Sequence, residues 1–431
     1  MSLENFITDM LNIKLEDLEN ISPIKQSDGT IIVKLKLKSK PFNCPYCGQL
    51  TRNHGYSRRK LTHSTLINRK CYIIYLQRRY KCTECEKTFS EHNPFINTGE
   101  SLTYETKLNV LQDLKRPEST YTAVAHRYNL TVTTVQRIFD KHVNIPPKPL
   151  PRLLSIDEHY FPESDYDSLY CCLLMDFATT VIIDILPDRR KNALAHYFTL
   201  IKNRTFNIAT QKSELDNVQF ISIDLHKPYK EIAQSFFPNA TICADSFHVL
   251  ETLTKCFRQI RLRCRRSTED ENISYLIQKF RYVFNHKVNL DNAPKYNKRL
   301  KRYINNREIR DLLFSRFPDL KKAYELKEDY ILFNEKATYN DAEAGLIREI
   351  NAFADANIPE YTEFYTLMCN WYWEIVNSFI IVQNKRINNS IIESRNRQVE
   401  RLIYNANGFR NFKRARNRIL YVLNKKDTYT I

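Results

Sequence analysis

Glycine is scarce, at six residues in 431. No glycine-rich loop that could cradle a phosphate is present, which argues against nucleotide hydrolysis as an energy source. No apolar run approaches the roughly 20 residues that a membrane-spanning helix needs. The first residues, Met1-Ser2-Leu3-Glu4-Asn5, lack the basic start and apolar stretch of a secretion signal. A reducing, cytoplasmic setting is therefore expected, where paired CxxC motifs point to metal rather than disulfides. Acid is short too: 49 Asp and Glu face 66 Lys and Arg, giving a net charge of +17. That balance favours a polyanionic partner over a merely solvated basic surface. The hydrophobic share of 42% argues against global disorder. A chain of this length exceeds one simple core, so several domains are expected.

A first region, residues 1–95, opens with a short helix and a turn at Ser27-Asp28-Gly29, followed by an alternating strand. Two knuckles then stand on either side of a strand-rich hairpin, Cys44-Pro45-Tyr46-Cys47 and Cys82-Thr83-Glu84-Cys85. Each knuckle can wrap two thiolates onto one metal, and together they close a tetrahedral four-sulfur site for structural Zn²⁺. This is the layout of a zinc ribbon, with Cys44, Cys47, Cys82 and Cys85 as ligands. Cys71, inside an apolar run, reads as core. From Arg52 to Lys81 there are nine Lys or Arg and no acid, which suggests that the ribbon also touches phosphates.

Residues 100–145 read as helices, with a pair at 121–128 and 132–139 joined by a turn at Asn129. Ala123 and Val124 are expected to face inward with Val135 and Ile138. Thr133, Thr134, Gln136 and Arg137 then face out, as in a helix-turn-helix that reads DNA. The prolines at 146, 147, 149 and 151 make a stiff linker over 146–151.

After the linker, Leu153-Leu154-Ser155-Ile156-Asp157 is a short apolar strand that ends on a carboxylate. Two more apolar strands follow at 169–177 and 180–186, then a helix, then a strand at 218–224 ending on Asp224. A helix at 227–236 and a strand at 240–244 lead to Asp245-Ser246-Phe247-His248. Such an order makes a plausible ribonuclease-H-like sheet, with Asp157 and Asp224 on neighbouring strands. Paired carboxylates on adjacent strand ends suit divalent metal ions for phosphoryl transfer. Glu158 is expected to point to the opposite face from Asp157. Residues 250–375 look almost wholly helical and read as an insertion, so the catalytic domain spans 152–249 and 376–425. Between Lys385 and Lys426, twelve Lys or Arg stand against two acids, Glu393 and Glu400. Phe412, Ala415, Ile419 and Leu423 form a helical stripe, with the basic face expected outward. Glu393, amid so many cations, reads either as a salt-bridge partner or, from its place at the start of a helix after the insertion, as the natural third ligand.

These features together resemble the transposases of bacterial insertion sequences of the ISL3 family, over essentially the whole chain. The resemblance rests on both knuckles, the helix pair, Ser155-Ile156-Asp157-Glu158 and Ile223-Asp224-Leu225-His226-Lys227-Pro228-Tyr229. Phe237-Pro238-Asn239-Ala240, Ala244 to Val249 and Asn407-Gly408-Phe409-Arg410-Asn411-Phe412 complete it. It implies an α/β fold: a ribonuclease-H-like DDE catalytic domain with a helical insertion, preceded by the zinc ribbon and an all-α helix-turn-helix domain.

The resemblance further implies that Asp157, Asp224 and Glu393 hold two Mg²⁺ ions, or Mn²⁺ in their place, about 3.5–4 Å apart. Asp245 and His248 match an Asp/Cys-x-x-His element that supports such sites, and Asp245 is the rival to Asp224. His248 either positions a phosphate, orders the site or is a buried structural histidine. The implied activity is metal-dependent DNA cleavage and strand transfer at terminal inverted repeats. It needs no Tyr or Ser nucleophile and is carried out by a homodimer at the nucleoid. Arg410 and Arg414 would hold the flanking backbone. The alternatives are a catalytically silent DNA-binding regulator derived from a transposase, and a nuclease of the same fold acting on branched DNA.

Overall fold

The computed structural model describes residues 11, 13–40, 42–66, 69–161, 165–166, 168–387 and 390–430, so the short helix expected at the very start lies outside them. The chain divides into two compact units, Met1–Pro146 with Val399–Ile431, and Pro147–Gln398.

The first unit opens on a five-stranded sheet. Strands β1 (Leu18–Lys25) and β2 (Ile31–Leu37) pair antiparallel. Gly29, at φ +84°, supplies the left-handed residue of their turn, and the Asp28 carboxylate accepts from the Thr30 N–H at 2.9 Å. A long hairpin, β3 (Thr51–Leu66) with β4 (Arg69–Cys82), joins through a parallel pairing of β2 with β4, and β5 (Thr88–Ser90) adds to β4. Period-two alternation sends Val33, Leu35, Cys71, Ile73 and Tyr75 into one core with Leu61, Phe95 and Ile96.

Three helices follow: α1 (Tyr104–Leu114), α2 (Tyr121–Tyr128) and α3 (Val132–His142). A threonine hydroxyl caps each N-terminus, with Thr103, Thr120 and Thr131 accepting from the third residue on. Asn129 ends α2 in the left-handed region at φ 54°, and the Leu130 N–H reaches back to the Ala125 carbonyl. Val124 and Ala125 are the buried pair of α2, while Ala123 is exposed. The inward face of α2 is thus one residue later than the sequence suggests.

Helix α14 (Phe412–Leu423) packs into this unit, the Phe139 ring meeting the Tyr421 ring edge-on at 5.9 Å. This differs from the expectation that 376–425 belongs with the catalytic sheet. Its stripe of Phe412, Ala415 and Ile419 is buried as expected, but its basic face is not all outward. Arg418 is buried and donates to the carbonyls of Arg116 and Ser119, and Arg416 donates to that of Ile145.

The second unit is built on a five-stranded sheet of order β10-β9-β6-β7-β8. Its strands are β6 (Leu153–Tyr160), β7 (Tyr170–Asp176), β8 (Ile182–Leu186), β9 (Phe220–Ile223) and β10 (Thr241–Ala244). The first three form an antiparallel meander. A crossover through α4 (Lys191–Thr205) lays β9 parallel to β6, and α5 (Lys227–Phe236) does the same for β10 on β9. Both faces are covered, so β8 is buried at every residue.

Helix α6 (Ser246–Arg266) leaves the sheet into a helical block of α7 (Glu271–Lys279), α8 (Asn306–Arg316), α9 (Pro318–Lys336), α10 (Tyr339–Ala356), α11 (Thr362–Asn370) and α12 (Tyr372–Asn377). A two-stranded ribbon, β11 (Lys295–Asn297) with β12 (Arg302–Ile304), interrupts it. The chain returns to the sheet where the Asn377 amide donates to the Ile242 carbonyl at 3.0 Å. After a short pairing of β13 (Ile381–Val382) with β14 (Lys385–Arg386), α13 (Ser390–Asn405) begins.

Candidate metal centres and functional site

Strand register builds the acidic site. Ile156 of β6 pairs with Ile223 of β9, and Ile223 pairs with Ala244 of β10. The next residue on each strand is an aspartate, so Asp157, Asp224 and Asp245 stand at the same edge of three adjacent strands. All three are buried.

The structure brings Asp157, Asp224 and His248 together, with ligand atoms within 4.8 Å of one another. His248 Nε2 lies 3.1 Å from Asp224 Oδ1 and 3.8 Å from Asp245 Oδ2, and its Nδ1 faces Glu251 at 3.3 Å. Burial alone would pull the His248 imidazole down, but its hydrogen bond to Asp224 and the charges of Asp224, Asp245 and Asp157 push it up to about 10. Burial and the neighbouring Asp224 charge raise the Asp157 carboxyl well above the usual carboxylate range. Two carboxylates held this close in a dry setting repel, and a cation relieves that repulsion.

Asp245 does not join the group. Its carboxylate caps α6, accepting from the Phe247 N–H at 3.2 Å. The structure does not bring Glu393 into the group either. Glu393 sits in the first turn of α13, its Oε2 3.8 Å from Arg397 and its Oε1 buried with no hydrogen-bond partner among the described residues. One turn further along α13, Asn396 donates to Asp157 Oδ2 at 2.6 Å, while Oδ1 accepts from the Glu158 N–H at 2.7 Å. Sequence reasoning missed Asn396. Its spacing of three from Glu393 on a helix, which puts both on one face, was the available signal.

A cavity of about 230 Å³ opens on this edge, lined among others by Glu158, Arg189, Asp224, His226 and His248. Glu158 lines this cavity with Asp224 and is engaged by Arg189 in an ion pair. Arg189 also lies over the Tyr170 ring at 4.1 Å.

At the base of the β3–β4 hairpin, the Sγ atoms of Cys44, Cys47, Cys82 and Cys85 form a second group within 4.8 Å. Cys44 and Cys85 sulfurs are 3.6 Å apart, and Cys47 and Cys82 sulfurs 3.5 Å. Zn–S bonds of about 2.3 Å in a tetrahedron require edges of about 3.8 Å, so the four thiols fit Zn²⁺. Burial opposes ionisation of Cys82, but the N–H groups of Glu84 and Cys85 outweigh it and lower the thiol. Cys71 is buried in the core, outside this group. Of the nine cations from Arg52 to Lys81, seven are exposed; Arg78 is buried, donating to Glu19 and the Leu37 carbonyl.

A zinc-finger model of the transposases of IS204, IS1001, IS1096 and IS1165 matches residues 40–85, spanning these cysteines. The model of the ISL3 DDE transposase domain matches residues 154–419, more than half of the chain. The chain belongs to the ISL3 transposase family. No curated protein matches the sequence. Membership makes DNA the partner of this ISL3 transposase and makes the four-cysteine group its structural zinc site. No helix among the described residues is long and apolar enough to cross a membrane.

In this transposase, Thr133 and Arg137 are exposed on α3, and Thr134 and Gln136 are half-buried. Arg410 is exposed. Arg414 instead grips Asp140, its Nε at 2.9 Å and 3.1 Å from the two carboxylate oxygens and its Nη2 at 2.6 Å from one of them.

Proposed function

We propose that the chain cuts and rejoins DNA at terminal inverted repeats, with Asp157, Asp224 and Glu393 as the acidic trio of a ribonuclease-H-like sheet. The observation that carries this reading is the placement of Asp157 and Asp224 close together, each directly after the last paired residue, Ile156 or Ile223, of the parallel strands β6 and β9. Hard carboxylate oxygens are the donor set that Mg²⁺ or Mn²⁺ prefers. The unpartnered, buried Oε1 of Glu393, one turn from the residue that holds Asp157, suits a third ligand drawn in when the site is loaded. Bound divalent ions would supply Lewis-acid stabilisation of charge on the attacking and leaving oxygens of the phosphodiester.

The chain's own groups do the positioning. Asn396 fixes the orientation of Asp157, and His248 holds Asp224 from the first turn of α6. Asp245 sets the start of α6 and thereby the place of His248. Arg189, paired with Glu158 at the cavity wall, keeps a cation where a phosphate would enter. In the first unit α2 and α3 serve as a helix-turn-helix, with Thr133, Thr134, Gln136 and Arg137 toward the DNA, and the zinc ribbon's exposed cations contact phosphates. Arg410 meets backbone directly, while Arg414 shapes that surface through its hold on Asp140. Pairing two DNA ends calls for a homodimer acting at the nucleoid.

The test is an excision-and-insertion assay on a donor plasmid carrying the flanking ends of the gene. Loss of both products in Asp157→Asn and Glu393→Gln, with end binding retained, supports the reading. End binding without cleavage by the wild type would favour a DNA-binding regulator.

A further inference from the structure

The ribbon β11–β12 stands out from the helical block by its composition. Between Pro294 and Asn305 there are five cations, Lys295, Lys298, Arg299, Lys301 and Arg302, and no acid. All five are exposed. Arg299 donates to Glu271 at 2.8 Å and to the Asn272 side chain at 3.0 Å, both in the first turn of α7, which anchors the ribbon. No acid lies within ion-pair distance of Lys295, Lys298, Lys301 or Arg302 among the described residues.

Tyr296 and Tyr303 are directly opposed across the ribbon, ring centroids 5.3 Å apart in an edge-to-face arrangement. They are 53% and 69% exposed, so neither ring serves the core. The ribbon's rigidity comes from elsewhere. Ile304 and Asn297 are buried, and the Asn297 side chain accepts from the N–H groups of Arg299 and Leu300, closing the turn. A stiff scaffold therefore carries two solvent-facing aromatics among exposed cations, four of which, Lys295, Lys298, Lys301 and Arg302, have no ion-pair partner among the described residues.

We propose that this ribbon binds an unpaired DNA strand, the tyrosines stacking on bases and the lysines and arginine holding the phosphates. Aromatic faces flanked by cations are how single strands are gripped without sequence preference. Bases inside a duplex offer only their edges in the grooves, and these rings would gain little there. The proposal rests on the reading of the chain as a DNA-processing enzyme, whose cleavage step generates free strands.

The experiment measures binding of the full zinc-loaded chain to a fluorescent oligothymidine by anisotropy, without divalent activator, beside binding to an end-containing duplex. The double variant Tyr296→Ala/Tyr303→Ala should weaken oligothymidine binding at least tenfold and leave duplex binding within twofold. The Tyr296→Phe/Tyr303→Phe variant should bind as wild type, which separates loss of stacking from loss of folding. Unchanged oligothymidine binding in the alanine variant overturns the proposal, as does equal loss in the phenylalanine variant or equal loss toward duplex. If wild type transposes and the alanine variant binds normally, the ribbon assignment alone is wrong. If wild type never cleaves but the variant loses the strand, the transposition reading is wrong and the ribbon stands.

Discussion

Asn396 and Asp157 lie 239 residues apart in sequence, yet the Asn396 amide donates to Asp157 Oδ2 at 2.6 Å. This bond ties the first turns of α13 to β6 at the point where its pairing with β9 stops. It gives the segment that follows the helical block a defined place at the acidic edge of the sheet.

Asn396→Ala should therefore leave the fold intact and raise the Mg²⁺ concentration for half-maximal cleavage by about 10- to 100-fold, as lost outer-shell contacts do. Asn396→Asp should be worse, because a further carboxylate beside Asp157 adds like-charge repulsion. A metal titration of cleavage in the three proteins checks this, and an unchanged midpoint in both variants removes the positioning role.

The helix pair α9–α10 carries a stability prediction. A Cβ added at Gly345 would overlap the Phe333 ring, so glycine is there for close helix approach. Gly345→Ala should destabilise the protein by about 1–3 kcal/mol, although alanine is the better helix former. Adding Phe333→Leu should recover much of the loss, read from urea unfolding midpoints.

Stability should also carry a pH signature from His63. The ring is buried in the first unit, Nδ1 3.1 Å from the Thr103 hydroxyl, and burial lowers it from 6.5 to about 4. Between those values the unfolded chain binds the proton and the folded chain does not. Stability of this unit is thus fully present above pH 6.5 and falls as pH drops toward 4, by up to roughly 3 kcal/mol. Denaturant titrations across pH 4–7 should show a shallower slope in His63→Gln, and identical slopes would contradict the assignment.

Zinc removal should act locally. Chelation or Cys82→Ala should collapse the base of the β3–β4 hairpin, since closed thiolate sites contribute directly to folding. Near-ultraviolet signals and protease cutting around residues 40–90 report that collapse, while the sheet of the second unit persists. End-specific DNA binding that survives chelation would separate zinc from recognition.

Much of the sheet was legible because its strands are apolar runs, two of which, β9 and β10, are followed directly by an aspartate; β6 instead runs on past Asp157 to Tyr160 through its pairing with β7. Helix 227–236 lies where the sequence places it, between the Pro228 signal at its start and the Phe237-Pro238 stop. Destinations were harder to read than elements. The stripe of Phe412, Ala415 and Ile419 tells which face of α14 is buried, but not which partner buries it. Arg416 and Arg418 read as solvated charge until the carbonyls they serve are seen. In α2, neighbouring alanines 123 and 125 differ by 200° around the helix, and only packing decides which is inside. Glu393 could be placed on a helix, but its reach toward Asp157 depends on a tertiary approach that spacing does not encode.

The most direct test of the central claim is the excision-and-insertion assay with Mg²⁺, run on wild type, Asp157→Asn, Asp224→Asn, Asp245→Asn and Glu393→Gln. Both products should vanish in the Asp157, Asp224 and Glu393 variants, while Asp245→Asn, which touches only the support of His248, should retain measurable activity. Retained activity in Asp224→Asn, with loss in Asp245→Asn, would contradict the trio built from β6, β9 and α13.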